Sequence, residues 1–217
     1  MSVDERMVHD IVQKVMANMQ ISGSVSGMHG VFKDMNDAIN ASIEAQKKVC
    51  TMTLDQREQI ISLIRKKTHE NAEILANMGV NETGMGNVGD KILKHHLTAD
   101  KVPGTEDIST IAWSGDRGLT LVEMGPFGVI GAITPATNPS ETVICNCIGM
   151  LAGGNTVVFN PHPNAKKTTI YTINMINEAS IEAGGPDNIA VTVEAPTLDT
   201  SAIMMKHPSI HLLVATG

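Results

Sequence analysis

The run Gly125–Pro163, GPFGVIGAITPATNPSETVICNCIGMLAGGNTVVFNPHP, constrains this chain more than any other stretch. It reads as strand, loop, helix, strand, loop. Two apolar segments, Gly128–Ile133 and Thr156–Asn160, flank a helical pattern over Ser140–Ala152 that Gly153-Gly154 closes. Buried parallel strands separated by helices specify an open α/β sheet. The two loops, Thr134–Pro139 and Asn160–Pro163, are stiffened by proline, and each carries a side-chain amide. Loops leaving the carboxyl ends of neighbouring strands are where such sheets bind ligands.

The alternation continues downstream. Asn188–Val193 and His211–Ala215 read as further strands, with helices over Ala165–Ala183 and Thr197–Lys206. Together these βα units, residues 126–217, predict a parallel, Rossmann-type sheet. Residues 32–101 look helical throughout. Asp34 or Asn36 can cap a first helix that runs to about Val49. Thr53 and Gln56 have capping-box spacing before a longer helix through Ile60, Ile61, Ile64, Ile74 and Leu75, closed by Gly79. A third helix is expected around Lys91–Asp100. Within 106–124, Ile108–Trp113 and Leu119–Met124 read as a β-hairpin joined by Ser114–Gly118. A lone hairpin is poorly stable, which suggests a subunit contact. At the end, Leu213–Gly217 reads as a buried strand entering a glycine-bearing turn, so the chain is expected to be the amino-terminal part of a longer protein.

At the other end, Ser2 and Glu5 have capping-box spacing, and Val8, Ile11, Val12, Val15 and Met19 fall on one helical face. SGSVSGMHG, residues 22–30, then reads as a flexible linker. A greasy helix on such a tether is suited to docking in another protein's groove. Packing as an ordinary first helix stands as the alternative.

Composition narrows the function. The net charge is −7 and only five residues are aromatic, against 14 Met. A polyanion-binding or base-stacking surface is therefore not expected, and the core must be aliphatic. No apolar stretch approaches the ~20 residues of a membrane span. Cys50, Cys145 and Cys147 give no even disulfide framework, as suits reduced thiols in the cytoplasm. No metal is assigned: His162 is isolated, and His95-His96 point to different helix faces. Cys145 and Cys147, two apart on a helix, read as packing groups rather than a redox pair. Asn138 has two readings. Its amide, held between Thr137 and Pro139, can stabilise an oxyanion; equally, Asn-Pro is a common turn initiator. The residues alone lead to an α/β domain that holds a nucleotide-like ligand between two loops.

Three blocks carry a resemblance: NETGMGNVGDKILKHHLTADKVPGTEDI, the Gly125–Lys167 block, and HPSIHLLVATG. In order and over about residues 30–217, they resemble the aldehyde dehydrogenase superfamily, and within it the CoA-acylating members that serve ethanolamine and 1,2-propanediol breakdown in bacterial microcompartments. The resemblance implies an aldehyde dehydrogenase-like fold in which 31–217 is a partial coenzyme-binding domain. It also implies a reaction in which an aldehyde such as acetaldehyde or propionaldehyde, CoA and NAD+ give acyl-CoA and NADH through a cysteine thioester. Asn138 would donate to the acyl oxygen. Ile133, Thr134 and Pro135 would line the cofactor. Asn160, Pro161, His162 and Pro163 would border its ribose, and Thr216 and Gly217 the pyrophosphate and nicotinamide. Ordinary aldehyde dehydrogenases have Lys at the Asn160 position and often Glu at Pro163, so NADP in place of NAD stays open.

The same resemblance likens residues 1–20 to an encapsulation peptide that docks on microcompartment shell or cargo proteins, with 21–30 as its linker. It implies a homo-oligomer in the cytoplasm, inside a microcompartment. It places the nucleophilic cysteine in a catalytic domain matched by none of Cys50, Cys145 and Cys147, so residues 1–217 alone should be inactive and leave apolar surface uncovered. The alternatives are a non-catalytic shell or cargo interaction module, and a CoA-independent aldehyde dehydrogenase.

Overall fold

A computed structural model describes residues 27–217 of the protein. The expected helix over 1–20 lies outside the described residues, as does most of the expected linker. The linker's last residues do not behave as linker. The His29 backbone N–H donates to Asn174 Oδ1 at 2.8 Å, and His29 Nδ1 lies 2.9 Å from Asp187 Oδ2. Gly30 is buried, and a Cβ there would stand 2.2 Å from Asn177 Nδ2 and 2.4 Å from the Ala190 carbonyl oxygen. Its φ of 75° also lies in the left-handed region, so glycine is required twice over.

Gly30 opens β1, Val31–Phe32, a two-residue strand where only helix is expected from the sequence. Two residues are too short to show a period, and only pairing with β6 reveals the strand. Asp34 caps α1, Met35–Val49, by accepting from the Asn36 N–H at 2.8 Å. The Thr53–Gln56 capping box opens α2, Leu54–Glu70. The single long helix expected from here is two. Asn71 leaves helical geometry at φ −104°, ψ 7°, its side chain bonded back to the Lys67 carbonyl, and α3 runs Ala72–Thr83. The stop is Gly84, left-handed at φ 69°, and not Gly79, which is buried inside α3. Helix α4, Val88–Lys101, is capped by Asn87. The hairpin is formed by β2, Ile111–Gly115, and β3, Gly118–Val122, with a tighter turn than expected. All ten of its strand residues are exposed.

The remaining elements alternate: β4 Val129–Thr134, α5 Pro139–Ala152, β5 Thr156–Pro161, α6 Lys166–Glu182, β6 Ala190–Val193, α7 Leu198–Lys206 and β7 Leu212–Ala215. They form a five-stranded parallel sheet in the order β1-β6-β5-β4-β7. Helices cover both faces. On one side Ile60, Ile61 and Ile64 of α2, Ile144 and Ile148 of α5 and Ile173 and Ile176 of α6 bury Ala132, Val157 and Phe159 of the sheet. On the other, Met35, Ala38 and Ile39 of α1 and Met204 of α7 bury Val129, Val158, Val191 and Val193. Each Val, Ile, Phe or Met side chain so withdrawn from water contributes about 1.5–3 kcal/mol. The core is mainly aliphatic: among the described residues its buried aromatics are Phe32 and Phe159, and its buried Met are Met35, Met175 and Met204.

Candidate functional site at the carboxyl edge of the sheet

From β4 the chain steps outward to β5 and then β6, and α7 carries it back across to β7 on the opposite side of β4. The strand order reverses there. Such a switch point leaves a crevice, because the connections on its two sides depart to opposite faces. The residues singled out in the sequence converge on it. Ile133 stands level with Asn160 on one side and Ala215 on the other, and Thr134 with Pro161. The His162 N–H donates to the Thr134 carbonyl at 3.0 Å, and the Thr216 N–H to the Ile133 carbonyl at 3.1 Å. A Cβ on Gly217 would lie 3.8 Å from that of Pro135, so the turn after β7 closes against the loop after β4. Thr134 Oγ1 is buried at this edge with no protein partner.

Asn138 occupies the N-cap of α5, with Pro139 at the first helical position. Asn is among the strongest capping residues, yet its side chain makes no capping bond. Forgoing a cap costs about 0.5–2 kcal/mol. The amide is held elsewhere: Lys94 Nζ donates to Asn138 Oδ1 at 3.3 Å. Beneath it lies a polar cluster that the sequence pattern does not announce. Lys91 Nζ donates to the Thr137 carbonyl at 2.9 Å and to Glu141 Oε1 at 3.2 Å. His95 Nδ1 lies 2.7 Å from the Lys91 carbonyl and its Nε2 2.7 Å from Ser140 Oγ. A carbonyl only accepts, so Nδ1 carries the proton and Nε2 accepts from Ser140 in the neutral ring. Burial pushes the His95 pKa down, which the Glu141 carboxylate only partly offsets. The signal was available in α4, whose buried face reads Lys91, His95, Thr98 and Ala99. That is helical spacing carried largely by polar residues on a buried face.

The second amide behaves differently. Asn160 Oδ1 accepts from Thr200 Oγ1 at 2.7 Å, and Nδ2 reaches toward the Thr197 carbonyl at 3.5 Å. The amide is therefore engaged with the amino terminus of α7. His162 Nδ1 accepts from the Asn164 N–H at 3.2 Å, which leaves Nε2 outward. Beside this loop a groove of about 750 Å³ lies between α3 and α6, lined by Glu73, Asn77, Asn81, Glu82 and Lys167. Glu82 accepts from the N–H groups of Lys167 and Thr168, so the positive end of α6 is already neutralised by a carboxylate. Two of the three cysteines are poor nucleophiles in this setting. Cys147 is fully buried with its thiol pushed up to about 12, and burial raises Cys145 as well. Among the described residues, no group of three His, Cys, Asp or Glu side chains is placed to hold a metal. No described helix is long and apolar enough to cross a membrane.

A crevice at a switch point, walled by a proline-stiffened loop with an uncommitted amide donor, is where an open α/β sheet takes a ligand. Residues 16–217 match the aldehyde dehydrogenase family, and the chain belongs to it. It is 46% identical to an acetylating acetaldehyde dehydrogenase of Bilophila wadsworthia, across 98% of this chain and 46% of the relative. Among solved structures, it is similar to a propionaldehyde dehydrogenase from the fucose utilisation microcompartment of Clostridium phytofermentans. That match has 71% identity and a TM-score of 0.86, and covers 87% of this chain and 43% of the other. A Rhodopseudomonas palustris propionaldehyde dehydrogenase with bound propionyl-CoA shares 47% identity at a TM-score of 0.84, over 87% and 42%. The chain thus spans about half the length of the relatives it matches.

Proposed function

We propose that this chain supplies the coenzyme-binding half of a CoA-acylating aldehyde dehydrogenase that acts on a short aldehyde such as acetaldehyde or propionaldehyde. The overall conversion is aldehyde, CoA and NAD+ to acyl-CoA, NADH and a proton. The observation that carries this reading is Asn138, withheld from its cap and presented at the switch point. A thiolate attacking an aldehyde places negative charge on the carbonyl oxygen, and a preorganised amide N–H stabilises it there. The relatives named above, acetylating and propionaldehyde-oxidising enzymes, favour the CoA-acylating branch.

The crevice suits a nicotinamide dinucleotide, which supplies the hydride acceptor when bound. Ile133, Thr134 and Pro135 form its floor, where the unpartnered Thr134 hydroxyl awaits a polar group. Thr216 and Gly217 form one wall. Pro161, His162 and Pro163 border the ribose side, with Asn160 setting the loop against α7. We assign residues 1–19 to contact with microcompartment shell or cargo proteins, and the exposed hairpin to a contact between subunits of a homo-oligomer.

The test is an assay of the whole protein with acetaldehyde or propionaldehyde, CoA and either NAD+ or NADP+. CoA-dependent NADH formation is expected. Oxidation that proceeds equally without CoA would move the protein to the CoA-independent branch. Deleting residues 1–19 should abolish co-purification with shell proteins and leave turnover intact.

A further inference from the structure

Two lysines one helical turn apart on α4 reach the same loop. Lys91 takes the Thr137 carbonyl, and Lys94 takes the Asn138 side chain. An ammonium has donors and no acceptor, so the Asn138 atom facing Lys94 at 3.3 Å must be the amide oxygen. In the flipped rotamer the NH2 group would face a cation. Lys94 therefore selects one of the two amide orientations, and that orientation turns both N–H bonds away from α4. Among the described residues, nothing accepts a hydrogen bond from Asn138 Nδ2. A cation on the oxygen also polarises the amide and strengthens its N–H groups as donors.

We propose that Lys94 is a positioning residue: it fixes the orientation of the Asn138 amide so that the N–H2 group meets the reacting carbonyl oxygen. The buried Lys91–Glu141 pair holds the loop carbonyl beneath it. This rests on the reading of Asn138 as the oxyanion donor. It goes beyond that reading by naming what keeps a freely rotating amide from presenting its oxygen, which would repel the developing charge. The contrast with Asn160 is instructive, because there both the oxygen and the nitrogen of the amide are engaged by α7.

The experiment is a double-mutant cycle in the whole protein with Lys94→Met, Asn138→Ala and the pair combined, plus Lys94→Arg. Losing one preorganised oxyanion donor lowers kcat by about 10²–10³, and equalising its two orientations halves the productive population, to which the lost polarisation of the N–H groups adds. Lys94→Met is expected to lower kcat by at least about twofold while KM for the nicotinamide cofactor and the unfolding midpoint stay unchanged. Lys94→Arg, which still donates, should restore most of the loss. On the Asn138→Ala background, Lys94→Met should have no further effect. Equal losses on both backgrounds, or no loss in Lys94→Met beside an impaired Asn138→Ala, would overturn the proposal and leave the oxyanion reading standing. An Asn138→Ala variant with full kcat would instead remove the oxyanion reading itself.

Discussion

Lys91 Nζ lies 3.2 Å from Glu141 Oε1, and the two side chains are only 4% and 7% exposed. An ion pair so deeply buried recovers its desolvation cost only through good geometry and further hydrogen bonds. Here the further bond is to the Thr137 carbonyl, which accepts from Lys91, while Ser140 Oγ stands 3.2 Å from Glu141 Oε2 with its proton on His95 Nε2. Removing one partner strands the other charge. Lys91→Met should therefore destabilise the protein by about 3–5 kcal/mol, whereas Lys91→Met combined with Glu141→Leu should cost much less. Denaturant unfolding of the three variants measures this. A single variant as stable as the parent would mean that the pair is solvated in solution.

Gly30 makes a second stability prediction. Its φ of 75° and the 2.4 Å gap between a built Cβ and the Ala190 backbone oxygen leave no room for a side chain. Gly30→Ala should destabilise by more than about 1 kcal/mol and loosen β1 from β6. Amide exchange at Thr192 and Glu194, whose N–H groups bond to Gly30 and Phe32, reports that directly. Gly27, with no heavy atom near its Cβ position, is the control, because there only the φ of 95° penalises a side chain.

The elements read correctly from the sequence share one property: a local cause. Thr53 and Gln56 cap a helix through their own side chains, and β4 and β5 announce themselves as continuous apolar runs between turns. β1 was invisible because two residues acquire strand geometry only from a neighbour 161 positions away. The break at Asn71 was hidden by apolar periodicity that persists across it from Ile64 to Leu75. In the site, the proline loops and Asn138 were legible because turn chemistry is local. Lys91, His95 and Glu141 were not, because a charged residue in a helix reads as solvent-facing until its tertiary partner is known. Asn160 was legible as a loop amide, while its engagement with Thr200 is a long-range fact.

The thiols give a prediction on reactivity. Cys147 is fully buried and its pKa is pushed up to about 12, so at pH 8 only about one molecule in 10⁴ carries the thiolate. Cys145 is raised by burial too, and Cys50 is exposed. Titration of the native protein with an aromatic disulfide should therefore label Cys50 fast and Cys147 only on unfolding. Cys147→Ala should leave any aldehyde-oxidising activity in place and lower stability. Rapid native labelling of Cys147 would contradict its place in the core.

His95 sets an acid limit. Burial holds its pKa below the ordinary 6.5; Lys91 and His96 push the same way, and Glu141 opposes them. As pH falls through 6.5, the unfolded chain takes up a proton that the folded chain refuses, so folding stability is lost from there down to the lowered folded value. Above 6.5 this contribution is fully present. Protonation would also reverse the hydrogen bond at Ser140: Nε2–H would donate to Oγ, and the Ser140 proton would turn to Glu141 Oε2, 3.2 Å away. That rearranges the support under Thr137 and Asn138. The wild-type unfolding midpoint should fall between pH 7.5 and 5, and His95→Gln should flatten that slope while lowering the midpoint at pH 7.5. An unchanged slope in His95→Gln would assign the acid sensitivity to other groups.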